Sequence, residues 1–338
     1  PPSLYSEPMC VFACEMGLFF FFFFETGSRS FPTSFTSPKL EAITEMVYAG
    51  SVITNNAGEI IADVDVIFED YQAGLTFQPN KRNKLLISSI YTRSEIGYEI
   101  ATADDGDVPE IYDNYNLGVS SEWNSKIKQN INSNLIISLS SYRSRFRANA
   151  AIDEPLSPTI MGSFSINTIN DLSIHEEIVL TTKNLNELDF GLEYRNIEIQ
   201  EDYKAGSPSD GSLYLRDQHS NAIIVSPYVN YSFNNWKNWL LQLGGRINYY
   251  SRTNEVNIAP RVFTNWYATN NLTLKGSFGL YYQYLSQVLV LAFSSGGFDN
   301  GLWQLADNKE NFSIDGLQSM IGAVWNKNNW VFDVESYF

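Results

Sequence analysis

The stretch NWLLQLGGRINYY (residues 238–250) decides the fold class, because its side chains alternate between apolar and polar. Positions 239, 241, 243, 247 and 249 carry Trp, Leu, Leu, Ile and Tyr, whereas positions 242, 246 and 248 carry Gln, Arg and Asn. A period of two residues predicts a β-strand, because successive side chains of a strand point to opposite faces of its sheet.

Similar stretches recur from residue 56 to the end and predict about twelve strands in all. They are residues 68–77, 84–94, 114–123, 134–148, 163–181, 188–195, 219–233, 238–250, 259–267, 271–283, 314–325 and 329–338. This region contains no convincing helix-period segment, so helices are not expected to supply the crossovers that parallel strands require. We therefore expect an all-β fold, an antiparallel up-and-down meander.

The connections between the predicted strands alternate between short and long. Residues 183–187 and 326–329 are short connections, whereas residues 95–113, 202–218 and 284–313 are long. Transmembrane β-barrels have tight turns at one rim and long loops at the other. Trp residues near the short connections and Tyr residues near the opposite strand ends suit two interfacial girdles. The sequence thus predicts that residues 56–338 are part of a large, incomplete transmembrane barrel.

Residues 1–55 lack this alternation and are predicted to be irregular, either a degraded barrel strand or a plug–barrel junction. The apolar run at 17–24 is shorter than the roughly 20 residues of a membrane helix. Cys10 and Cys14 are the two cysteines of the chain, and a C-x₃-C pair without nearby His or Cys does not support a metal site. No cofactor is expected.

The net charge of −16 argues against nucleic acid as a partner, because nucleic-acid binding requires a basic surface. Catalytic signatures are equally poor. His175 and His219 are the two histidines, and His175 and Glu176 are predicted to face opposite sides of a strand. Neither a nucleophile elbow nor a phosphate-binding loop is present. The chain is therefore not expected to be an enzyme.

The alternation assigns side chains to the two faces of a barrel wall. The predicted lipid-facing residues are Leu241, Leu243, Phe278 and Leu280. The predicted lumen-lining residues are Asp189, Glu193, Arg195, Arg246 and Lys275. Charged side chains belong on the lumen face, because the opposite face contacts hydrocarbon.

Two further groups are candidates for ligand binding in an extracellular vestibule or the lumen. Arg143, Arg145 and Arg147 share one face of a strand and could receive an anionic ligand, a plug carboxylate or a lipopolysaccharide phosphate. Pairing with acidic neighbours such as Asp153 and Glu154 is the simpler interpretation. A second group could stack on and hydrogen-bond a sugar or a siderophore, and it comprises Tyr281, Gln283 and Tyr284.

Three segments resemble barrel strands of TonB-dependent outer-membrane receptors of the Bacteroidetes type. They are FEDYQAGLTFQPNKRNKLLISSIYTR (68–93), APRVFTNWYATNNLTLKGSFGLYYQYLSQ (259–287) and NWVFDVESYF (329–338). The second is the most specific, with its Pro-Arg strand, its short Asn turn and its following strand. The resemblance covers residues 60–338. It implies a bacterial outer-membrane location and a barrel of about 22 strands with an N-terminal plug inside it.

The resemblance further implies an importer of a siderophore, haem, a vitamin or a glycan, energised through its plug by the TonB–ExbB–ExbD complex. The expected partners are that complex, the small-molecule or glycan ligand, and the lipid and lipopolysaccharide of the outer membrane. Neither a plug nor a TonB box can be recognised in residues 1–60, and by comparison with the family we expect further C-terminal strands beyond those of this sequence. Two alternatives stay open, a passive porin and a soluble structural or adhesive β-protein. An upstream plug would exclude the first, and dependence on detergent would exclude the second.

Overall fold

A computed structural model describes residues 39–54, 60–102, 106–148, 162–207, 212–289, 301–328 and 330–338. All of them lie in the unit Thr36–Phe338. Fifteen strands occupy this part of the chain. They are β1 (Lys39–Thr54), β2 (Ile60–Asn80), β3 (Asn83–Thr102), β4 (Gly106–Lys128), β5 (Ile131–Ala148), β6 (Gly162–Thr181), β7 (Glu187–Ser207), β8 (Ser212–Trp236), β9 (Trp239–Tyr250), β10 (Glu255–Thr269), β11 (Leu272–Gln283), β12 (Leu285–Leu289), β13 (Gly301–Leu305), β14 (Ile314–Lys327) and β15 (Trp330–Tyr337).

Thirteen of the strands form one sheet in which neighbours in sequence are neighbours in space. The order runs from β1 to β11 and continues with β14 and β15, and every pairing is antiparallel. Strands β12 and β13 form a separate two-stranded sheet. The predicted all-β meander is confirmed, and each of the twelve predicted stretches corresponds to a strand of the large sheet, with ends that differ by one residue in the stretches 238–250, 271–283 and 329–338.

Strand β1 pairs with β2 along its length and lies within the stretch 1–55, for which a degraded barrel strand was one of the two interpretations. Two further strands were not predicted. Strands β12 and β13 lie within the predicted loop 284–313. Residues 1–38, which include Cys10 and Cys14, lie outside the described residues. The described part of the chain contains no helix long and apolar enough to cross a membrane.

Several of the predicted long connections are hairpin extensions. Residues 95–113 were expected to be a loop, but β3 and β4 stay paired as far as Thr102 and Gly106. Strands β7 and β8 likewise stay paired to Ser207 and Ser212. Continued pairing satisfies the backbone N–H and C=O groups of these polar segments, which explains why polar sequence here is strand and not coil.

Asparagine and threonine side chains shape the short turns. The Asn80 side-chain oxygen accepts hydrogen bonds from the backbone N–H groups of Arg82 (2.8 Å) and Asn83 (3.0 Å). The Thr269 hydroxyl accepts in the same way from Asn271 (3.2 Å) and Leu272 (3.0 Å). Such local bonds replace the missing ladder bonds at the tip of a hairpin and keep these turns short.

The sheet has two chemically distinct faces, which we call the apolar face and the polar face. The register aligns Leu243 of β9, Val262 of β10 and Phe278 of β11 across three strands. These three side chains are 43%, 38% and 46% exposed, so nothing in the described part of the chain covers the apolar face here. A contiguous exposed apolar surface of this kind marks contact with another apolar phase or a partner.

Aromatic pairs line the short-turn edge of the apolar face. Trp239 stacks on Trp266 with ring centroids 5.5 Å apart, and Phe233 stacks on Trp236 at 5.4 Å. Farther along the strands, Tyr71 lies 6.0 Å from Tyr91 on the same face. Trp and Tyr combine an apolar ring with a polar edge and suit the boundary between hydrocarbon and headgroups.

Candidate functional site

The polar face carries the candidate site, and an ion pair lies at its centre. Arg246 of β9 donates to a carboxylate oxygen of Glu193 of β7 over 2.6 Å, across the intervening strand β8. The Arg246 guanidinium also lies over the ring of Tyr228, 5.2 Å from its centroid. Both partners are about four-fifths buried, so each charge depends on the other for the solvation it has lost.

A hydrogen-bonded chain extends this network onto β6. The Tyr228 hydroxyl donates to Glu177 over 3.0 Å and lies 2.9 Å from Nε2 of His175. These side chains, together with Arg246 and Arg261, line a cavity of about 190 Å³. The cavity is lined by cationic, carboxylate and hydroxyl groups. It could therefore bind polar groups but not an apolar ligand.

The other predicted lumen-lining residues lie on the same polar face. Arg195 pairs with Asp171 of β6, and its Nε lies 3.2 Å from the carboxylate. Lys275 of β11 reaches across β14 to Asp333 (2.9 Å) and Glu335 of β15. Asp189 occupies the polar position next to Glu187 and Glu193 along β7. Charges of opposite sign therefore face each other between β6 and β7, between β7 and β9 and between β11 and β15, whereas Asp189 lies near other carboxylates.

The hairpin β12–β13 covers the far end of the polar face, where it contacts β6, β7 and β8. Asn167 of β6 is fully buried and binds the backbone of Trp303 in both directions. Its side-chain oxygen accepts from the Trp303 N–H over 2.8 Å, and its Nδ2 donates to the Trp303 carbonyl over 3.2 Å. The Asn167 side chain thus satisfies the backbone N–H and C=O of Trp303, as a neighbouring strand would.

A small apolar core joins the hairpin to the sheet. Tyr250 and Tyr284 stack with ring centroids 4.4 Å apart, and the Tyr250 hydroxyl donates to the carbonyl of Ala306 over 2.7 Å. The remaining members of this core are Ile197, Ile199, Ala222, Ile224, Leu305 and Ala306. Next to it, the Gln304 amide donates to the buried carboxylate of Glu201 over 3.0 Å. The described ends of loop 284–313 therefore pack on the wall.

The structure separates the second group of predicted ligand contacts. Tyr284 is only 6% exposed, and its ring stacks on the ring of Tyr250. Tyr281 lies on the polar face with the Arg261 guanidinium 4.9 Å above its ring. Gln283 is exposed and donates to the carbonyl of Leu285 over 2.6 Å. Tyr281 and Gln283 thus stay candidates for a ligand surface, whereas Tyr284 has a structural role.

The three arginines of β5 lie on the apolar face and not in a vestibule or lumen. Arg143, Arg145 and Arg147 have the same strand parity as Ile137 and Leu139, which are 42% and 57% exposed on that face. Arg145 pairs with Asp113 of β4 at 2.7 Å. The suggested partners Asp153 and Glu154 lie outside the described residues. The parity relative to Leu139 was available in the sequence and would have placed the arginines correctly.

The predicted lipid-facing residues lie on the apolar face. Leu241 and Leu243 occupy the β9 positions that pair with Thr264 and Val262 of β10. Phe278 and Leu280 pair with Ser319 and Leu317 of β14, continuing the same face.

The described part of the chain contains no cluster of three or more His, Cys, Asp or Glu residues that could hold a metal ion. His175 and Glu176 lie on opposite faces, as predicted. Glu176 accepts a hydrogen bond from Ser133 (2.7 Å) on the apolar face, whereas His175 contacts Tyr228 on the polar face.

The sequence analysis did not single out Asn167, Glu201 and Gln304. Each is an isolated polar residue in a strand, and nothing in the surrounding sequence indicates which distant residue it binds.

Comparisons with solved structures give matches in fold at low sequence identity. The outer membrane transporter YddB from Escherichia coli matches with a TM-score of 0.59 at 11% identity, over 86% of this chain and 43% of that one. The ferric enterobactin receptor PfeA matches with a TM-score of 0.55 at 13% identity, over 81% and 43%. The siderophore receptor PirA from Acinetobacter baumannii matches with a TM-score of 0.53 at 14% identity, over 81% and 43%.

The chain has the fold of part of a TonB-dependent receptor barrel. It spans about half the length of the solved structures it matches. No family model and no curated protein matches the sequence. In barrels of this fold the outer face of the wall is apolar and the inner face lines a polar lumen, so we call the apolar face of this sheet the outer face and the polar face the inner face. The matched structures are receptors and transporters, not enzymes.

The turn that follows β13 gives a pH-dependent prediction. Asp307 accepts hydrogen bonds from the backbone N–H groups of Lys309 (2.9 Å), Glu310 (3.0 Å) and Asn311 (3.0 Å). Burial alone would raise the pKa of Asp307, but these bonds and Arg252 outweigh burial, so its pKa is lowered. The stabilisation of the turn is therefore present above the unfolded-state pKa of 3.8 and is lost as pH falls through the lower folded pKa.

We expect the amide resonances of Lys309, Glu310 and Asn311 to titrate together, with a midpoint below 3.8, the ordinary value for Asp. Asp307→Asn should abolish this titration and accelerate exchange of the three amides at neutral pH. A midpoint at or above the ordinary value would contradict the arrangement.

Proposed function

We propose that this chain is a barrel-wall segment of a bacterial outer-membrane receptor that imports a scarce nutrient. The observation that supports this most is the pairing of two features in one sheet. Its outer face is exposed and apolar between aromatic edges, and its inner face carries paired charges. A wall of this kind suits hydrocarbon on one side and a polar interior on the other.

The proposed substrates are a siderophore, haem, a vitamin or a glycan. PirA is named a siderophore receptor and PfeA a ferric enterobactin receptor, and this likeness favours a siderophore for the present chain. Tyr281, Gln283 and the cavity next to Arg261 provide stacking and hydrogen-bonding groups on the inner face. Outer-membrane barrels take their specificity from loops and inner-wall groups of this kind.

Energisation by the TonB–ExbB–ExbD complex is the finer part of the proposal. It requires a plug against the inner wall, and the wall offers space for one. Between β2 and β5 the inner face carries small residues at Gly74, Ser88, Ser120 and Ser138, next to a cavity of about 470 Å³. Short side chains there leave room for another segment to approach the backbone.

The experiment compares uptake in the parent bacterium, using the full-length gene. Radiolabelled ferric siderophores are offered to iron-starved cells that carry or lack the gene, each with TonB intact or deleted. We expect accumulation of at least one ferric siderophore to need both genes. Equal uptake without TonB would establish the alternative, a passive channel. A protein that fractionates away from the outer membrane and stays soluble without detergent would overturn the proposal altogether.

A further inference from the structure

The inner face carries a row of four residues that we call the dipolar row: Asp189 of β7, Asn230 of β8, Gly244 of β9 and Arg261 of β10. The register aligns these residues on four consecutive strands. Neighbouring strands are about 4.8 Å apart, so the backbone positions of the two charged ends are separated by about 14 Å along the sheet. The row therefore has an acid at one end and a base at the other, with uncharged residues between them.

The positive end of the dipolar row is a guanidinium without an anion. In the described part of the chain Arg261 forms no ion pair, and its buried Nε has no hydrogen-bond partner. Its ladder neighbours, Gly244 and Gly279, have no side chain that could reach it. The ring of Tyr281 lies over Gly279, and the guanidinium lies 4.9 Å from the centroid of that ring. An aromatic ring thus orients Arg261 and leaves its hydrogen-bond donors unused.

The negative end of the row has the opposite imbalance. Asp189 forms no ion pair with the described residues, and its buried Oδ1 has no hydrogen-bond partner there. Glu187 precedes it by two residues on the same face, and the carboxylates of Glu187 and Glu177 both interact unfavourably with that of Asp189. Glu177 is bound by the Tyr228 hydroxyl (3.0 Å), which adds no positive charge. A buried acceptor without a partner is unfavourable, so a cationic donor at this end would be stabilising.

The surface between the two ends is low and polar. Asn230 lies across Gly244, where a Cβ atom would overlap the side-chain oxygen of Asn230. The cavity of about 190 Å³ lies here, and Asn230, Arg246 and Arg261 are among the residues that line it. Arg246 is paired with Glu193 (2.6 Å), whereas Arg261 is not paired with any described carboxylate. A ligand can therefore lie along the row with one end at each unpaired charge.

We propose that the dipolar row binds a zwitterionic ligand, whose carboxylate pairs with Arg261 and whose ammonium group pairs with Asp189. The proposal rests on the proposed function and names the charge pattern of the imported nutrient. An anionic ligand without a cation would be repelled by Asp189 and the carboxylates next to it, and a cationic ligand without an anion would leave Arg261 unpaired. A ligand with both charges compensates both ends of the row, which an uncharged glycan cannot do.

Tetraalanine is a suitable probe, because it carries both charges on a chain of matching length. An extended peptide rises about 3.4 Å per residue, so four residues place the ammonium group about 14 Å from the carboxylate. N-acetylation removes the cation, amidation removes the anion, and a peptide with both modifications is neutral. Isothermal titration calorimetry with the full-length protein in detergent micelles measures the affinity for these four peptides. We expect the unmodified peptide to bind about tenfold more tightly than each modified one, because every modification removes a charge-assisted hydrogen bond.

Two variants assign each charge of the peptide to one end of the row. In Arg261→Gln the unmodified peptide and its amide should bind with equal affinity, because the partner of the carboxylate is gone. In Asp189→Asn the unmodified and the N-acetylated peptide should bind with equal affinity. A purely structural defect would instead weaken all four peptides by the same factor. The matched control, Lys126→Gln, removes an exposed cation from the same row of the inner face on β4 and should keep the wild-type preferences.

Equal affinity of the wild type for all four peptides, or no measurable binding, would overturn the proposal. Unchanged preferences in Arg261→Gln and Asp189→Asn would overturn it as well. If a variant does not fold, the comparison of the four peptides on the wild type still decides the matter. The uptake experiment is independent of this one: TonB-independent uptake with charge-dependent peptide binding contradicts the proposed function alone, and TonB-dependent uptake with charge-independent binding contradicts this inference alone.

Discussion

Leu243→Arg should destabilise the barrel by about 2–4 kcal/mol, because it places a guanidinium on the outer face near the middle of the bilayer. Leu243 is 43% exposed and lies between Tyr231 of β8 and Val262 of β10 on that face. In a lipid bilayer the exposed fraction of this side chain contacts hydrocarbon, which solvates a charge poorly. Reversible urea unfolding in phospholipid vesicles measures the free energy of unfolding.

Gln242→Arg is the matched control for Leu243→Arg. It introduces the same side chain one residue earlier in β9, on the polar face, where Gln242 lies opposite Ser232 of β8 and Ser232 lies opposite Glu187 of β7. We expect its free energy of unfolding to differ from the wild-type value by less than about 1 kcal/mol. Equal losses for the two variants would mean that both faces of β9 meet the same environment. That result would contradict the membrane wall.

Asn167→Leu should release the hairpin β12–β13 from the inner wall. The change leaves the N–H and C=O groups of Trp303 without their partner, and each unsatisfied buried group costs about 1–3 kcal/mol. We expect the opening free energy of the hairpin to fall by about 2 kcal/mol, which corresponds to roughly 30-fold faster amide exchange. Hydrogen exchange of residues 301–306, followed by mass spectrometry, measures the change.

The large sheet should be unaffected by Asn167→Leu, because the hairpin is a separate two-stranded element. Asn170→Leu is the matched control, since it makes the same change on the same strand but on the outer face, where Asn170 contacts Ser141. Hairpin exchange should keep its wild-type rate in the control. Unchanged exchange in Asn167→Leu would show that the Trp303 backbone is satisfied by other groups.

The strand pattern was predictable because it is local. A strand alternates its side chains every two residues, so the face of Leu241 relative to Arg246 follows from counting along the chain. The inner-face positions of Glu193, Arg195 and Lys275 were predicted by the same counting. Arg143 is four residues after Leu139 and therefore lies on the same face of β5. Its outer position could also have been predicted from the sequence.

Pairing partners were not predictable in the same way, because each depends on the register between strands. Glu193 meets Arg246 across β8, 53 residues apart in sequence, and neither residue has a local feature that indicates the other. The strand ends were also misplaced. Polar composition at 95–113 favours a loop, but hairpin pairing satisfied the backbone and extended β3 and β4 beyond the apolar belt.

The sequence by itself determined the fold class, the two faces of the wall and the side chains on each, since all three follow from a two-residue period. Only the tertiary structure decided that the segment after β11 folds back onto the wall, where Asn167 binds Trp303 from 136 residues away. The reason is that burial of Tyr250 and Tyr284 depends on where distant strands end in space, and periodicity along one strand carries no information about that.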